Sequence, residues 1–271
     1  MTEAIHHTTP PMAPGERSGD GGAAVPIRRI TPGQQWQWLA AGWEDFVRAP
    51  GVSLAYGALL VIASFILIAG LALYDLGYLI LPMAAGFMLV GPVIAVGLYD
   101  TSRRLERGEP VSLGTALAAF HSHSTQIAAI GVVLMIGLLF WIRCALLLFA
   151  LFFAGTPAPL DAIYTELFFS LPGVTLIATG TVIGAGFAIV AFAASAVSIP
   201  MLLDRDVDVI TAVITSLRSV RDNLVPMVLW GLLVTLLTMA GIATAFLGLA
   251  VTLPVIAYAS WHAYRDLVGP I

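Results

Sequence analysis

The chain contains no lysine: twelve arginines supply all of its fixed positive charge, and charged residues make up only 10% of its 271 positions. Soluble domains carry roughly 25% charged residues, so a composition this poor in charge excludes an ordinary water-soluble globule. The single cysteine, Cys144, excludes an internal disulfide and any metal site built from several thiolates. Histidine is scarce too. His6 and His7 lie near the N-terminus, His121 and His123 lie between apolar runs, and His262 lies at the end of the last run. A haem-copper core needs several histidines facing one another inside the spans, so that redox chemistry is excluded. There is no Gly-rich phosphate loop, no His-Glu metal motif on a helix and no nucleophile elbow. The arginines are too dispersed for a nucleic-acid face. The first thirty residues have no apolar core, so no cleavable signal peptide is expected.

What is present is hydrocarbon. Hydrophobic residues make up 59% of the chain, in runs over 52–73, 79–99, 127–153, 174–201 and 224–264. A spanning helix needs about 20 apolar residues, whereas barrel strands need about ten that alternate in polarity. Backbone groups in hydrocarbon must bond within their own segment, so these runs predict an all-α membrane bundle. The last run is twice one span. Folded with a turn near 240–245, it becomes spans over 224–243 and 246–264, six in all. Residues 1–32 are expected to form a disordered arm ahead of a membrane domain over 33–271.

Arginine placement predicts the orientation, because positive charge near span ends favours the cytoplasm. Arg17, Arg28, Arg29 and Arg48 precede the first span; Arg103, Arg104 and Arg107 follow the second; Arg205, Arg218 and Arg221 follow the fourth; Arg265 ends the sixth. The intervening connections have none. Both termini are therefore expected in the cytoplasm, with the chain in a bacterial inner membrane.

Three amphipathic segments interrupt the apolar runs, at 35–49, 112–123 and 207–222. In the first, Trp36, Leu39, Trp43, Phe46 and Val47 form a stripe at helical spacing, with Asp45 among the polar residues opposite. Such helices suit the membrane interface. Each precedes a pair of spans, which predicts a threefold repeat of interfacial helix plus hairpin. Tyr56-Gly57, Gly131 and Trp230-Gly231 occupy corresponding places, and Pro92 and Pro254 each stand eleven residues before an arginine.

The segment Trp43-Glu44-Asp45-Phe46 with Pro50, the stretch Gly97-Leu98-Tyr99-Asp100 continuing through Ser102-Arg103-Arg104 to Glu106 and Glu109, the run from Ile199 to Arg205, and the ending from Ser260 to Leu267 resemble the bacterial integral membrane proteins grouped as domain-of-unknown-function family 2189. The resemblance spans roughly 33–268. It implies a multi-pass membrane fold and no known activity, cofactor or catalytic residue.

Arg143 is the one arginine inside an apolar run. An arginine near the bilayer centre costs about 2.5–3.5 kcal/mol on insertion scales, so it is expected to snorkel toward Asp75, Asp161 or Glu166, the alternative being an anion or lipid-phosphate contact. Asp204, Asp206 and Asp208 surround Arg205, where helix capping competes with a divalent-cation site. The Gly180, Gly184, Ala188 spacing predicts close helix packing. Candidate interaction residues are Arg143, Arg103, Arg104, Asp204, Arg205, Arg218, Arg221, His262, Arg265 and Asp266. No catalytic, cofactor or metal residue is expected. The leading expectation is a non-enzymatic scaffold or accessory protein that binds anionic lipid or another membrane protein. A carrier or channel for a neutral or amphipathic small molecule and an intramembrane lipid-acting enzyme are the alternatives.

Overall fold

A computed structural model describes residues 25–122, 124–153 and 163–269, and every regular element among them is helical. Five helical stretches are long and apolar enough to cross a membrane: Pro50–Leu73, Gly77–Glu106, Thr125–Phe153, Leu171–Asp204 and Leu224–Ala243. The chain is a multi-pass integral membrane protein.

In chain order the helices are α1 (Gln34–Arg48), α2 (Pro50–Leu73), α3 (Ile80–Ile94), α4 (Val96–Glu106), α5 (Leu113–Ser122), α6 (Ser124–Phe153), α7 (Ile163–Phe169), α8 (Leu171–Ser195), α9 (Ser198–Asp204), α10 (Val209–Asp222), α11 (Leu224–Ala243) and α12 (Leu249–Val268). Two spanning stretches are broken near prolines. A proline lacks the N–H that bonds four residues back and its ring crowds that carbonyl. Four residues before Pro200 is Ala196, where α8 stops; α3 gives way to α4 at Ala95, three residues after Pro92. The long final run is divided by a turn at 244–248, in which Ala245 and Phe246 take φ of 52° and 67°.

The centre of the molecule is α12. Tyr258, Trp261 and Tyr264 are fully buried within it, and α1, α2, α4 and α11 pack around it. Two glycines permit close backbone approaches to α12. A Cβ on Gly57 would lie 2.3 Å from the Ala250 carbonyl oxygen, and one on Gly42 would lie 2.6 Å from the Ala259 nitrogen. The Gly184 position is used inside the bundle, where a Cβ would meet the Trp141 ring at 2.9 Å; Gly180 faces open space.

The amphipathic helices pack inside out relative to a soluble protein. In α1, Gln35, Trp38, Gly42, Asp45 and Phe46 are buried while Trp36 and Trp43 are exposed. In α10, Ala212, Thr215, Ser216 and Ser219 face the bundle while Ile210, Ile214 and Leu217 face outward. The outward faces carry apolar residues, while small and polar residues, joined in α1 by Trp38 and Phe46, pack on the bundle.

Part of the expected disordered arm is also fastened down. Residues 1–24 lie outside the described residues, but 25–32 run along the bundle. The Arg28 N–H donates to the Leu267 carbonyl at 2.8 Å, Ile30 N–H donates to Asn223 Oδ1 at 2.7 Å, and Asn223 Nδ2 donates to the Arg28 carbonyl at 3.0 Å. One buried amide thus satisfies an extended strand of backbone in both directions, which composition alone does not announce.

Candidate functional site: a charged cluster at the arginine-bearing end

The ends of α4, α9 and α12 meet, with α1 laid across them, and their polar residues form one network. Asp100 is buried between two guanidiniums: Arg103 Nη2 donates to its Oδ1 at 2.5 Å, and Arg104 Nε donates to its Oδ2 at 2.7 Å. The i,i+3 and i,i+4 spacings on one helix set up both contacts. Arg103 also donates to the Leu203 carbonyl at 2.6 Å, tying α4 to α9.

Asp204, the last residue of α9, is the hub, its side chain only 4% exposed. Its Oδ2 accepts from the Tyr264 hydroxyl at 2.8 Å and from Arg265 Nη1 at 3.2 Å, while Oδ1 stands 3.4 Å from Arg107 Nη2. Arg205 turns back to donate to the Tyr264 oxygen at 3.0 Å and to the Gly269 carbonyl at 2.5 Å. Arg265 Nε lies 3.4 Å from Glu106.

A second branch joins α1 to this network. Asp45 is buried and accepts from the Ser102 hydroxyl, and its Oδ2 is 2.8 Å from His262 Nε2. The other ring nitrogen of His262 is 3.9 Å from Glu106. Asp266 forms a separate arm, accepting from Trp38 Nε1 at 2.7 Å and Gln34 Nε2 at 3.0 Å.

Four arginines (103, 104, 107 and 265) therefore face four acids (Asp100, Glu106, Glu109 and Asp204), while Asp45 meets His262 and Arg205 is held by Tyr264 and the Gly269 carbonyl. A cluster balanced in this way clasps helices together and leaves little unopposed charge for a ligand. The three aspartates after α8 do not act as a set. Asp204 serves the hub, Asp206 is exposed, and Asp208 caps α10 by accepting from Thr211 N–H at 2.9 Å and Thr211 Oγ1 at 2.6 Å. Those bonds hold the Asp208 carboxyl below the ordinary aspartate range.

The remaining candidates lie elsewhere. Arg218 and Arg221 are exposed on α10; Arg221 meets its neighbour Asp222 at 3.0 Å, and among the described residues no acid lies within 4 Å of Arg218. Arg143 is exposed on α6, two residues beyond Trp141, whose Nε1 donates to the Pro82 carbonyl at 2.8 Å. That bond sets Arg143 level with the start of α3, at the end of the bundle away from the cluster. No described acid is within 4 Å of it, so pairing with Asp75 or Glu166 is not made; Asp161 lies outside the described residues. His121 is exposed on α5, and His123 lies outside the described residues.

Sequence reasoning did not select Asp45, Asp100, Ser102 or Glu106, although all four lie in the segments that carried the family resemblance. The available signal was the Asp100 spacing to Arg103 and Arg104.

Residues 80–204 match the family described as predicted integral membrane protein (DUF2189). The matched stretch contains the Asp100 pair and the Asp204 hub, while Asp45 and His262 fall outside it. Comparisons with curated proteins and with solved structures returned no match.

Proposed function

We propose that this protein is a non-enzymatic scaffold of the bacterial cytoplasmic membrane, with both termini and the charged cluster on the cytoplasmic side, binding anionic lipid through α10. One observation carries the reading. Four of the clustered arginines are engaged by acids and Arg205 by Tyr264 and the Gly269 carbonyl, whereas on α10 Arg218 stands exposed with no described acid within 4 Å and Arg221 stands exposed beside only its neighbour Asp222, on a helix whose Ile210, Ile214 and Leu217 are also exposed. An amphipathic helix with apolar residues in the acyl region and arginines at headgroup depth suits an anionic leaflet. The centre is filled by Trp38, Trp230, Trp261 and Tyr258, which favours a packed scaffold over a carrier.

The same reading takes α12 as a sixth span and the chain as three repeats. Small residues Gly42, Ala116 and Ser216 each lie eight positions before the first residue of a span, Pro50, Ser124 and Leu224. Gly57, Gly131 and Gly231 each follow fifteen positions after those small residues. Each amphipathic helix leans on the last span of the preceding unit. Gly42 meets Ala259, Ala116 meets Gly97, and Ser216 Oγ donates to the Ala193 carbonyl while accepting from Val197 N–H. The third unit closes on the first, which supports a cyclic arrangement.

The test is lipid retention. Each basic residue near an anionic surface contributes about 1 kcal/mol, or roughly fivefold in occupancy. Protein purified in mild detergent should carry phosphatidylglycerol enriched over phosphatidylethanolamine, and Arg218→Gln with Arg221→Gln should erase that enrichment. Equal lipid ratios in parent and variant would overturn the lipid reading. A stoichiometric protein in the preparation, lost in the same variant, would replace lipid by a protein partner.

A further inference from the structure

Two apolar grooves lie against the amphipathic helices, outside the charged cluster. The first, about 260 Å³, is walled by Tyr56 and Leu60 of α2 and by Val93 and Ile94 of α3, and closed by Leu117 and Phe120 of α5. The second, about 470 Å³, is walled by Leu237 of α11 and Val255 of α12, and closed by Trp36, Leu39 and Trp43 of α1. Neither has an ionisable wall except the Tyr56 phenol, whose hydroxyl is turned to the Ile94 carbonyl at 2.5 Å.

The grooves correspond. Each is bounded by the two spans of one hairpin and the amphipathic helix of the next unit. Leu117 and Trp43 each follow the small residue at the helix contact, Ala116 or Gly42. Val93 and Val255 each directly follow the proline of the second span, Pro92 or Pro254. A packing defect has no reason to recur at matching positions between different side chains.

What fills them is set by their surroundings. Each groove continues into an exposed apolar belt: Leu59, Ile62 and Ile66 run on from the first, and Leu236 and Met239 from the second. A belt of this kind on spanning helices faces hydrocarbon. The walls are almost wholly apolar, Thr252 and the indoles of Trp36 and Trp43 being the polar exceptions in the second groove, so water gains few partners there, whereas a chain of methylenes makes dispersion contacts along them.

We propose that each groove seats one acyl chain of a phospholipid from the leaflet on the arginine-bearing side, held beneath the amphipathic helix. The correspondence of the two sites rests on the repeat reading, but neither site uses the α10 arginines. The protein is therefore a two-site lipid clamp that selects for the chain and tolerates a change of headgroup.

The test fills each groove separately. Protein released from nanodiscs of phosphatidylethanolamine and phosphatidylglycerol, weighed by native mass spectrometry, should retain two phospholipids beyond the loosely held shell. Ala40→Trp, in the second groove, and Leu117→Trp, in the first, should each remove one, and the pair should remove both. Val190→Trp, on the exposed surface of α8, should remove none. As a check independent of whether the bulky variants fold, phospholipid with a photoreactive group on its acyl chain, added at two equivalents to the delipidated unsubstituted protein, should crosslink to residues of the two grooves, Leu39 and Leu117 among them, more than to Val190. No retained lipid in the parent, an unchanged count in folded groove variants, or crosslinks no denser in the grooves than at Val190 would overturn the proposal. So would loss of the two lipids on Arg218→Gln with Arg221→Gln, which would assign them to α10 and leave the scaffold reading intact.

Discussion

Removing the Asp204 carboxylate is the sharpest test of the clasp. Its side chain is 4% exposed and holds Tyr264, Arg265 and Arg107, so one substitution releases contacts to both α12 and α4. Breaking a buried charge pair costs about 3–5 kcal/mol. Two features place Asp204→Ala at the lower end. Arg107 is half exposed and contributes less than about 1 kcal/mol, and Arg265 keeps Glu106 at 3.4 Å. The expected loss is about 3 kcal/mol. Asp204→Asn keeps an oxygen for the Tyr264 hydroxyl and loses only the charge. Hydrogen bonds to charged groups contribute about 1.5–3 kcal/mol against about 0.5–1.5 for neutral ones, so Asn should cost about half as much as Ala.

For a chain of this size 1 kcal/mol moves the melting temperature by roughly 2–4 °C. Circular-dichroism melts in nanodiscs should therefore fall by roughly 6–12 °C for Asp204→Ala and by about half that for Asp204→Asn. Combining Asp204→Asn with Arg265→Gln should fall short of additivity by at least about 0.5 kcal/mol, because the two share one contact. If both single variants melt within about 1 °C of the parent, or the double variant is additive, the cluster does not hold these helices together.

Gly57→Leu should abolish the monodisperse size-exclusion peak, since even a Cβ would stand 2.3 Å from the Ala250 carbonyl, and overpacking typically costs about 1–3 kcal/mol before larger shifts are counted. Asn223→Ala should raise protease cleavage between residues 25 and 32 several-fold, because both bonds to that segment are lost while the α10–α11 junction remains; an unchanged cleavage rate would contradict the fastening. Arg143→Leu should leave insertion and expression intact, with the protein level in isolated membranes as the readout. The Asp208 cap should be pH-sensitive. Its folded carboxyl titrates below the unfolded one, so its contribution is present above the ordinary aspartate pKa and lost as pH falls through the folded value. Asp208→Ala should flatten that part of the stability profile and leave the neutral-to-alkaline part parallel to the parent.

The all-helical membrane class was legible because hydrocarbon constrains the backbone directly. What a helix packs against is a different matter. The α1 stripe of Trp36, Leu39 and Trp43 was visible at helical spacing, but amphipathicity names two faces without saying which one meets protein. In water the apolar face would turn inward; here Trp36 is 63% exposed while Asp45 is 3% exposed. The cluster divides in the same way. Asp100 with Arg103 and Arg104 is local and readable, whereas Asp45 meets His262 across 217 positions and Asp204 meets Arg265 across 61. Those pairs exist only because α12 runs through the centre. That position also accounts for its sequence. A helix surrounded by protein need not be soluble in lipid, so α12 can carry Tyr258, His262, Tyr264 and Arg265, each with a partner on a neighbouring helix, and stand apart from the five more apolar stretches. Its polar residues, which leave α12 outside those five stretches, are what the other helices are assembled around.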